Sequence, residues 1–400
     1  MSRSEPPGTT DVSAHSLRPY GGLLAVSFLS RVPLGMAGVG LLALALSSGL
    51  GPGIGGTAVG LYAASFAAAG PLWGRAAQNV GAHAVLRACW LGQILACGAV
   101  VVGQSQKAAY LVAAALLGLT TPPLAAIMRA TWNHLFAGDD RLADRLSVLE
   151  TMNTEGVHIA GRLIVAALAA VGAMLIPWVY AILISLGIGL LARDSRLVEP
   201  SHGRRQDGSG KRKGVWNRTN FVWAGAMLMM AVSHGAAATS MVVSQSADSA
   251  WRGPLTMVVW AVGSLLGGLA SLGRPNLASP IVTTLVGQFA FAIIAWELVR
   301  ADFTETWAWL LILALGVPIT PTISSVFRAS RTVTAVDQQV WLFSVFASLN
   351  FLGFSVGSAA AGWAMELDGV VSGFYVAAAC AGLAVVPLAF APRLPRRLLG

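Results

Sequence analysis

Residues 193–217 read RDSRLVEPSHGRRQDGSGKRKGVWN, the longest polar stretch of the chain. It is basic, contains Gly and Ser, and shows no apolar periodicity, so it reads as a flexible linker. Outward from it the chain turns apolar in both directions. Runs near 21–46, 55–73, 84–104, 108–131, 146–171 and 173–192 precede it, and runs near 219–243, 252–272, 279–299, 303–327, 338–364 and 371–391 follow. About 20 apolar residues in a helix span a hydrocarbon layer of roughly 30 Å, so the reading is six spans on each side of the linker. The second run, rich in Gly and Ala, and the closely spaced fifth and sixth around Pro177 carry the weakest signals.

Composition supports this. Of 400 residues, 56% are hydrophobic and only 11% charged, with 45 Gly besides; soluble domains carry roughly 25% charged residues. With a mean hydropathy of +0.69, most side chains must face lipid or each other, which excludes a soluble enzyme and a disordered chain. The expectation is an all-α polytopic membrane protein with 12 transmembrane helices in two parallel six-helix halves. Residues 1–19 form a disordered cytosolic tail without a signal peptide's apolar core. A first bundle covers 20–192, the linker 193–218, a second bundle 219–391 and a cytosolic tail 392–400.

The basic residues orient the spans. Of 26 Lys and Arg, 21 fall on one side of this arrangement, three (Lys107, Arg252, Arg300) on the other, and Arg31 and Arg162 within spans. Basic loops stay in the cytosol, so both termini are expected there, in a multi-pass protein of the cytoplasmic membrane. The KRK cluster at 211–213 then faces lipid headgroups, and no nucleic-acid partner is expected. Cys89, Cys97 and Cys380 lie in apolar runs without metal-ligand spacing, so neither a disulfide framework, a metal nor a cofactor is expected.

Two landmarks repeat with one offset. Gly74-Arg75 recurs as Gly273-Arg274, and Thr121-Pro122-Pro123-Leu124-Ala125-Ala126-Ile127-Met128-Arg129-Ala130 recurs as Thr320-Pro321-Thr322-Ile323-Ser324-Ser325-Val326-Phe327-Arg328-Ala329, each 199 residues later. Six spans per copy give both copies the same orientation, a parallel repeat.

Two parallel six-span halves joined by a basic linker resemble the major facilitator superfamily. Its marker between spans two and three is Gly-x-x-x-Asp-Arg-x-Gly-Arg-Lys/Arg. Here Gly74 and Gly81 keep the glycine spacing, Gln78 and Asn79 stand in place of Asp-Arg, and Ala82-His83 replace the basic end. The resemblance implies a cytosolic gate built from Gly70, Gly74, Arg75, Gln78, Gly81, Arg129, Gly273, Arg274 and Arg328, with a weaker latch because Gln78 offers only hydrogen bonds. The antiporter branch places Gly-x-x-x-Gly-Pro in span five; here Gly156-Val157-His158-Ile159-Ala160-Gly161-Arg162 puts Arg162 where the proline would stand. A related small-residue run, Gly353 to Ser358, lies in span eleven.

Ionisable groups at membrane depth mark function by default. Glu155, His158 and Arg162 follow one another at spacings of three and four, along one helical face, and Arg31 stands within span one, beside span five in the family's fold. One reading is a fixed buried Arg31–Glu155 pair with neutral His158. The other is a titrating Glu155 and His158 with Arg31 or Arg162 as counter-charge, which makes protons the coupling partner. In a third, Arg31 and Arg162 hold a carboxylate-bearing substrate. In the second half His234 and Asn350 are the buried polar candidates.

The expected function is a monomeric secondary active transporter moving a small, mostly apolar organic compound by alternating access, with proton-coupled export, antiporter-like. Uptake of a small anion or nutrient is the alternative, and a sensor or scaffold descended from a transporter is another. No GxxxxGK[ST] loop is present for ATP. The acidic run Asp139-Asp140-Arg141-Leu142-Ala143-Asp144 alternates with Arg and reads as a solvated loop, so no enzyme is expected.

Overall fold

The computed structural model describes residues 20–125, 127–128, 131, 140–197, 217–247, 249–272, 279–300, 306–331, 333–334 and 336–390, the side chains of Gln78, 140–152, 154–155, Leu272, Arg328, Arg331, 336–341 and 343–344 excepted. Both tails, most of the linker, Arg129, Gly273 and Arg274 lie outside these residues.

All described elements are helices. In the first half they are α1 (Gly21–Ser47), α2 (Pro52–Val80), α3 (Ala82–Gly103), α4 (Lys107–Leu119), α5 (Asp140–Val171) and α6 (Ile176–Leu191). In the second they are α7 (Arg218–Ser246), α8 (Arg252–Leu272), α9 (Pro280–Arg300), α10 (Thr306–Gly316), α11 (Ile319–Arg331), α12 (Val336–Asp368) and α13 (Ser372–Leu383). Among the described residues nine helical runs are long and apolar enough to cross a membrane, and Lys107–Leu119 and Gly156–Val171 are shorter apolar helices. The Gly/Ala-rich α2 is 29 residues long but is not among the nine, in keeping with its weak signal in the sequence. The tenth expected span is two helices, α10 and α11, broken at Val317-Pro318.

The helices approach so closely because glycines sit at their crossings, and the crossings repeat. A Cβ on Gly35 of α1 would strike the Val157 carbonyl of α5, and one on Gly235 of α7 would strike the Phe354 carbonyl of α12. A Cβ on Gly118 of α4 would meet Tyr62 O of α2, and one on Gly316 of α10 would meet Trp260 O of α8. Gly55 of α2 packs on Leu42, and Gly253 of α8 on Val242. Gly92 presses on Thr120, and Gly287 on Thr322. Four crossings recurring about 200 residues apart show that the duplication read from two motifs runs through the packing. Small residues let membrane helices gain dispersion contact where lipid offers no hydrophobic drive.

Beside the last crossing the halves differ. Gln93, in the first half, donates from Nε2 to Leu117 O at 2.7 Å and to Thr120 Oγ1 at 2.8 Å, and accepts from Tyr180 Oη at 2.5 Å. Its counterpart Gln288 is 1% exposed and, among the described residues, neither its Oε1 nor its Nε2 finds a partner. Opposite effects are expected from one substitution. Gln93→Leu strands the buried Tyr180 hydroxyl, which donates to Gln93 Oε1, and lowers stability by about 1–3 kcal/mol. Gln288→Leu strands nothing and leaves stability unchanged or higher. Thermal unfolding of the two variants in the same detergent checks this.

The break in span four has a direct cause. Pro123 has no N–H to give the Leu119 carbonyl, as a helix would require, and Trp73 of α2 supplies the bond instead, Nε1 to Leu119 O at 2.7 Å. Trp73 thus ties α2 to the proline break. Past α6, Arg196 Nε donates to Asp194 Oδ1 at 2.8 Å, and this hydrogen bond holds the Asp194 carboxyl below its usual range. His83, at the end of the loop motif, donates through Nδ1 to Ala192 O at 3.1 Å.

Candidate functional site

Each half has its own apolar core. One runs from Leu23 to Leu197 within the first half; another gathers α7, α8, α9, α10, α12 and α13 but takes in Leu42 and Val59 from the first. The two halves therefore share a seam, formed by α2 against α12, α5 against α8, and α1 against α7 and α8.

The charged cluster is built around the α1–α5 crossing. Gly35 touches Val157 O and His158 Cα, Gly161 touches Gly35, Met36 and Val32, and Gly40 reaches Val165. Contacts advance along both helices together, so α1 and α5 run in the same direction. Arg31, one turn before Gly35, therefore stands level with Thr154 and Glu155, one turn before His158. The expected neighbourhood of Arg31 and Glu155 is thus present in the backbone; the Glu155 side chain lies outside the described residues. Arg31 is 2% exposed, and its Nη2 donates to Leu124 O, in the proline break of span four, at 3.2 Å. One group ties α1 to the fourth span at the depth of α5's acid.

Arg162, one turn beyond His158, points to the other half: its Nη1 donates to Met257 O of α8 at 2.9 Å. A helical carbonyl is usually satisfied within its own helix, so a charged donor here adds a charge-assisted bond across the seam. Arg31 on α1 thus reaches the fourth span, and Arg162 on α5 reaches the second half.

His234 is separate from this cluster. It is 4% exposed, inside the second bundle, with Trp260 at 6.3 Å and Phe291 at 5.0 Å between ring centroids. Its Nε2 has no hydrogen-bond partner among the described residues. Asn350 is half-buried on α12. Of the gate residues, Gly81 has φ +92° between α2 and α3, a conformation that favours glycine. A Cβ on Gly70 or Gly74 would meet nothing within 4 Å, and Arg75 is exposed. No group of three or more His, Cys, Asp or Glu able to hold a metal occurs among the described residues.

The seam is closest near the start of α2. A Cβ on Gly56 would strike Ser358 O and lie 3.1 Å from Gly362 Cα, and one on Gly60 would lie 2.7 Å from Ser355 O. Trp363 Nε1 donates to Thr57 Oγ1 at 3.0 Å, and Gly53 N donates to Glu366 Oε2 at 2.8 Å. Phe66 meets Phe351 edge-on at 4.9 Å. Farther along α2, Ala68, Pro71 and Leu72 are exposed. Sequence reading singled out none of Gly53, Gly56, Gly60 or Glu366; on the α12 side it marked the small-residue run from Gly353 to Ser358, but not that this run meets α2.

Two helical bundles meeting along such a seam are an architecture shared by many membrane transporters. The sequence model of the Major Facilitator Superfamily matches residues 23–337, and the chain belongs to that family. Compared with curated protein sequences it has no match. Among solved structures it is similar to the nucleoside transporter NupG (TM-score 0.69, 13% identity, 92% of this chain and 97% of that one). It is also similar to a D-xylose-proton symporter (TM-score 0.69, 12% identity, 92% and 97%). A third likeness is a structure described as giving insights into substrate recognition in proton dependent oligopeptide transporters (TM-score 0.68, 9% identity, 94% and 98%). At these identities the likeness is one of fold.

Proposed function

We propose that the chain is a proton-coupled secondary transporter that exports a small, mostly apolar organic compound by alternating access. The observation that carries the coupling is the bond from Arg162 of α5 to Met257 O of α8. The helix that holds Glu155 and His158 is the one that grips the other half. A proton taken up by Glu155 removes a negative charge two turns from Arg162, on the same face. That change alters how strongly Arg162 is held within its own bundle, and so how firmly it bridges the seam. Arg31, level with Glu155, is the buried counter-charge when the acid is ionised.

The orientation follows from the basic residues. With the termini in the cytosol, the start of α2 lies outside, so in this reading the close seam at Gly53–Phe66 is the outer closure. A closed outer side is the state in which an exporter loads. The expected outer-state closure would use the gate side of α2, where Gly70 and Gly74 stand clear of neighbours. The apolar lining at the seam (Leu42, Val59, Phe66, Phe351) favours a solute with little charge.

Uptake is the second reading, favoured by the likeness to a D-xylose-proton symporter. Purified protein in proteoliposomes with an imposed pH gradient separates the two by the sign of substrate accumulation, across a panel of apolar amines, sugars and carboxylates. In Glu155→Gln we expect counterflow of the substrate to persist while gradient-driven accumulation falls at least tenfold. Unchanged coupling would remove Glu155 from the mechanism.

A further inference from the structure

At the close end of the seam the N-terminus of α2 is occupied by a carboxylate from the other half. α2 begins with Pro52, so its first N–H groups have no intrahelical acceptors and carry the positive end of the helix dipole. Tyr20, Gly51 and Gln106 at the starts of α1, α2 and α4 give no side-chain cap to their own helices. For α2 the cap is Glu366, 313 residues away in the chain, whose Oε2 accepts from Gly53 N at 2.8 Å. The fit requires bare backbone: Cβ atoms on Gly51 and Gly53 would lie 3.1 Å and 2.5 Å from that oxygen. One helical turn inward, Trp363 Nε1 donates to Thr57 Oγ1 at 3.0 Å, and beside it lies the glycine contact of Gly56 with Ser358 and Gly362.

We propose that Glu366 is the charged latch of this end of the transporter: its carboxylate, seated on the N-terminus of α2, holds the two halves together there and is released each time that end opens. The glycine contacts beneath it supply shape and dispersion but no charge, so they close the seam without fixing its register. The carboxylate adds direction, because only one end of α2 is positive. Glu366 and Trp363 are both exposed at the rim, so on parting, the carboxylate and the freed N–H groups are taken up by water. A latch of this kind is strong enough to bias the equilibrium and weak enough to let go.

This reading rests on alternating access for its role in the cycle, but its test reads distances without substrate, so it stands or falls apart from the proton assignment. Spin labels at Ser105, in the α3–α4 turn, and Thr306, at the start of α10, report the separation of the halves at the latched end; both positions are exposed. The three native cysteines are first replaced by serine or alanine, and the protein is held in nanodiscs. Glu366→Gln keeps size and an acceptor oxygen but loses the charge, and we expect the ratio of separated to closed molecules to rise about two- to fivefold, the range of a carboxylate at a helix N-terminus. Glu366→Ala raises it further, and Trp363→Phe, which loses the indole N–H that reaches Thr57 together with part of the ring, moves it the same way. Raising the salt concentration shifts the wild type toward separation and leaves Glu366→Gln unmoved, because an exposed charge is screened. A purely structural role for Glu366 gives no salt dependence. If monodisperse Glu366→Gln and Glu366→Ala both show the wild-type distance distribution and its salt response, the latch is refuted; Trp363→Phe reads the same seam if either fails to fold.

Discussion

Gly56→Leu abolishes transport while leaving each bundle folded. Gly56 stands on the face of α2 that lies against α12, where even one added carbon would collide with Ser358 O and crowd Gly362 Cα at 3.1 Å. Those are backbone atoms of a 33-residue helix, so nothing at the contact can swing away as a side-chain tip would. Four extra carbons there act as a wedge between the halves, and the shared core that Leu42 and Val59 make with the second bundle parts with them. We expect a loss of transport of more than tenfold with only a modest fall in melting temperature, because the core of the first bundle and most of that of the second are kept. The same leucine at Gly70, farther along α2 where a Cβ meets nothing within 4 Å, leaves the latched end closed. Transport and labelled distances measured on the two variants side by side check the contrast.

Gly357→Leu has the largest expected effect on stability. Gly357 of α12 is pressed against Val232 O and lies 2.9 Å, by its notional Cβ, from Ala236 N; Gly353 one turn earlier meets Leu228 O and Ala231. This is the α7–α12 crossing inside the second bundle, the counterpart of α1–α5 in the first. Overpacking a tight site costs about 1–3 kcal/mol, and more where only backbone can yield. We expect a fall of several kcal/mol or failure to accumulate in the membrane. Gly382 on α13, with nothing within 4 Å of a notional Cβ, takes leucine without cost. Thermal unfolding followed by fluorescence in detergent compares the pair.

The architecture was legible because it is written in composition and period. The run lengths located most of the apolar helices, including the weak second one, since apolar length is a one-dimensional property; the break that divides the tenth into Thr306–Gly316 and Ile319–Arg331 was not read. Two motifs at one offset implied the duplication. The glycine crossings that embody it were not read, although Gly35 and Gly235, Gly118 and Gly316, and the Gly-Gln pairs at 92–93 and 287–288 repeat at nearly the same offset. A glycine in a glycine-rich helix has no signature of its own; which face it occupies is set by the partner helix. Glu366 was silent for another reason. A glutamate at the end of a span reads as a solvated terminus, and nothing local shows that a helix beginning 313 residues earlier ends its approach there. Arg31 and Arg162 announced themselves because charge inside a span is costly; that Arg31 reaches Leu124 O and Arg162 reaches Met257 O depends on neighbours far away in the chain and was not readable.

The most direct test of the account follows both ends of one molecule. Labels at Ser105 and Thr306 report the latched end, and labels at Ala84, at the start of α3, and Ser279, just before α9, report the opposite end. In nanodiscs, with pH lowered to load the acid of α5 or with Glu366→Gln to free the seam, the account predicts that the first distance lengthens as the second shortens. Distances that stay fixed under every condition, or that lengthen together, would contradict it.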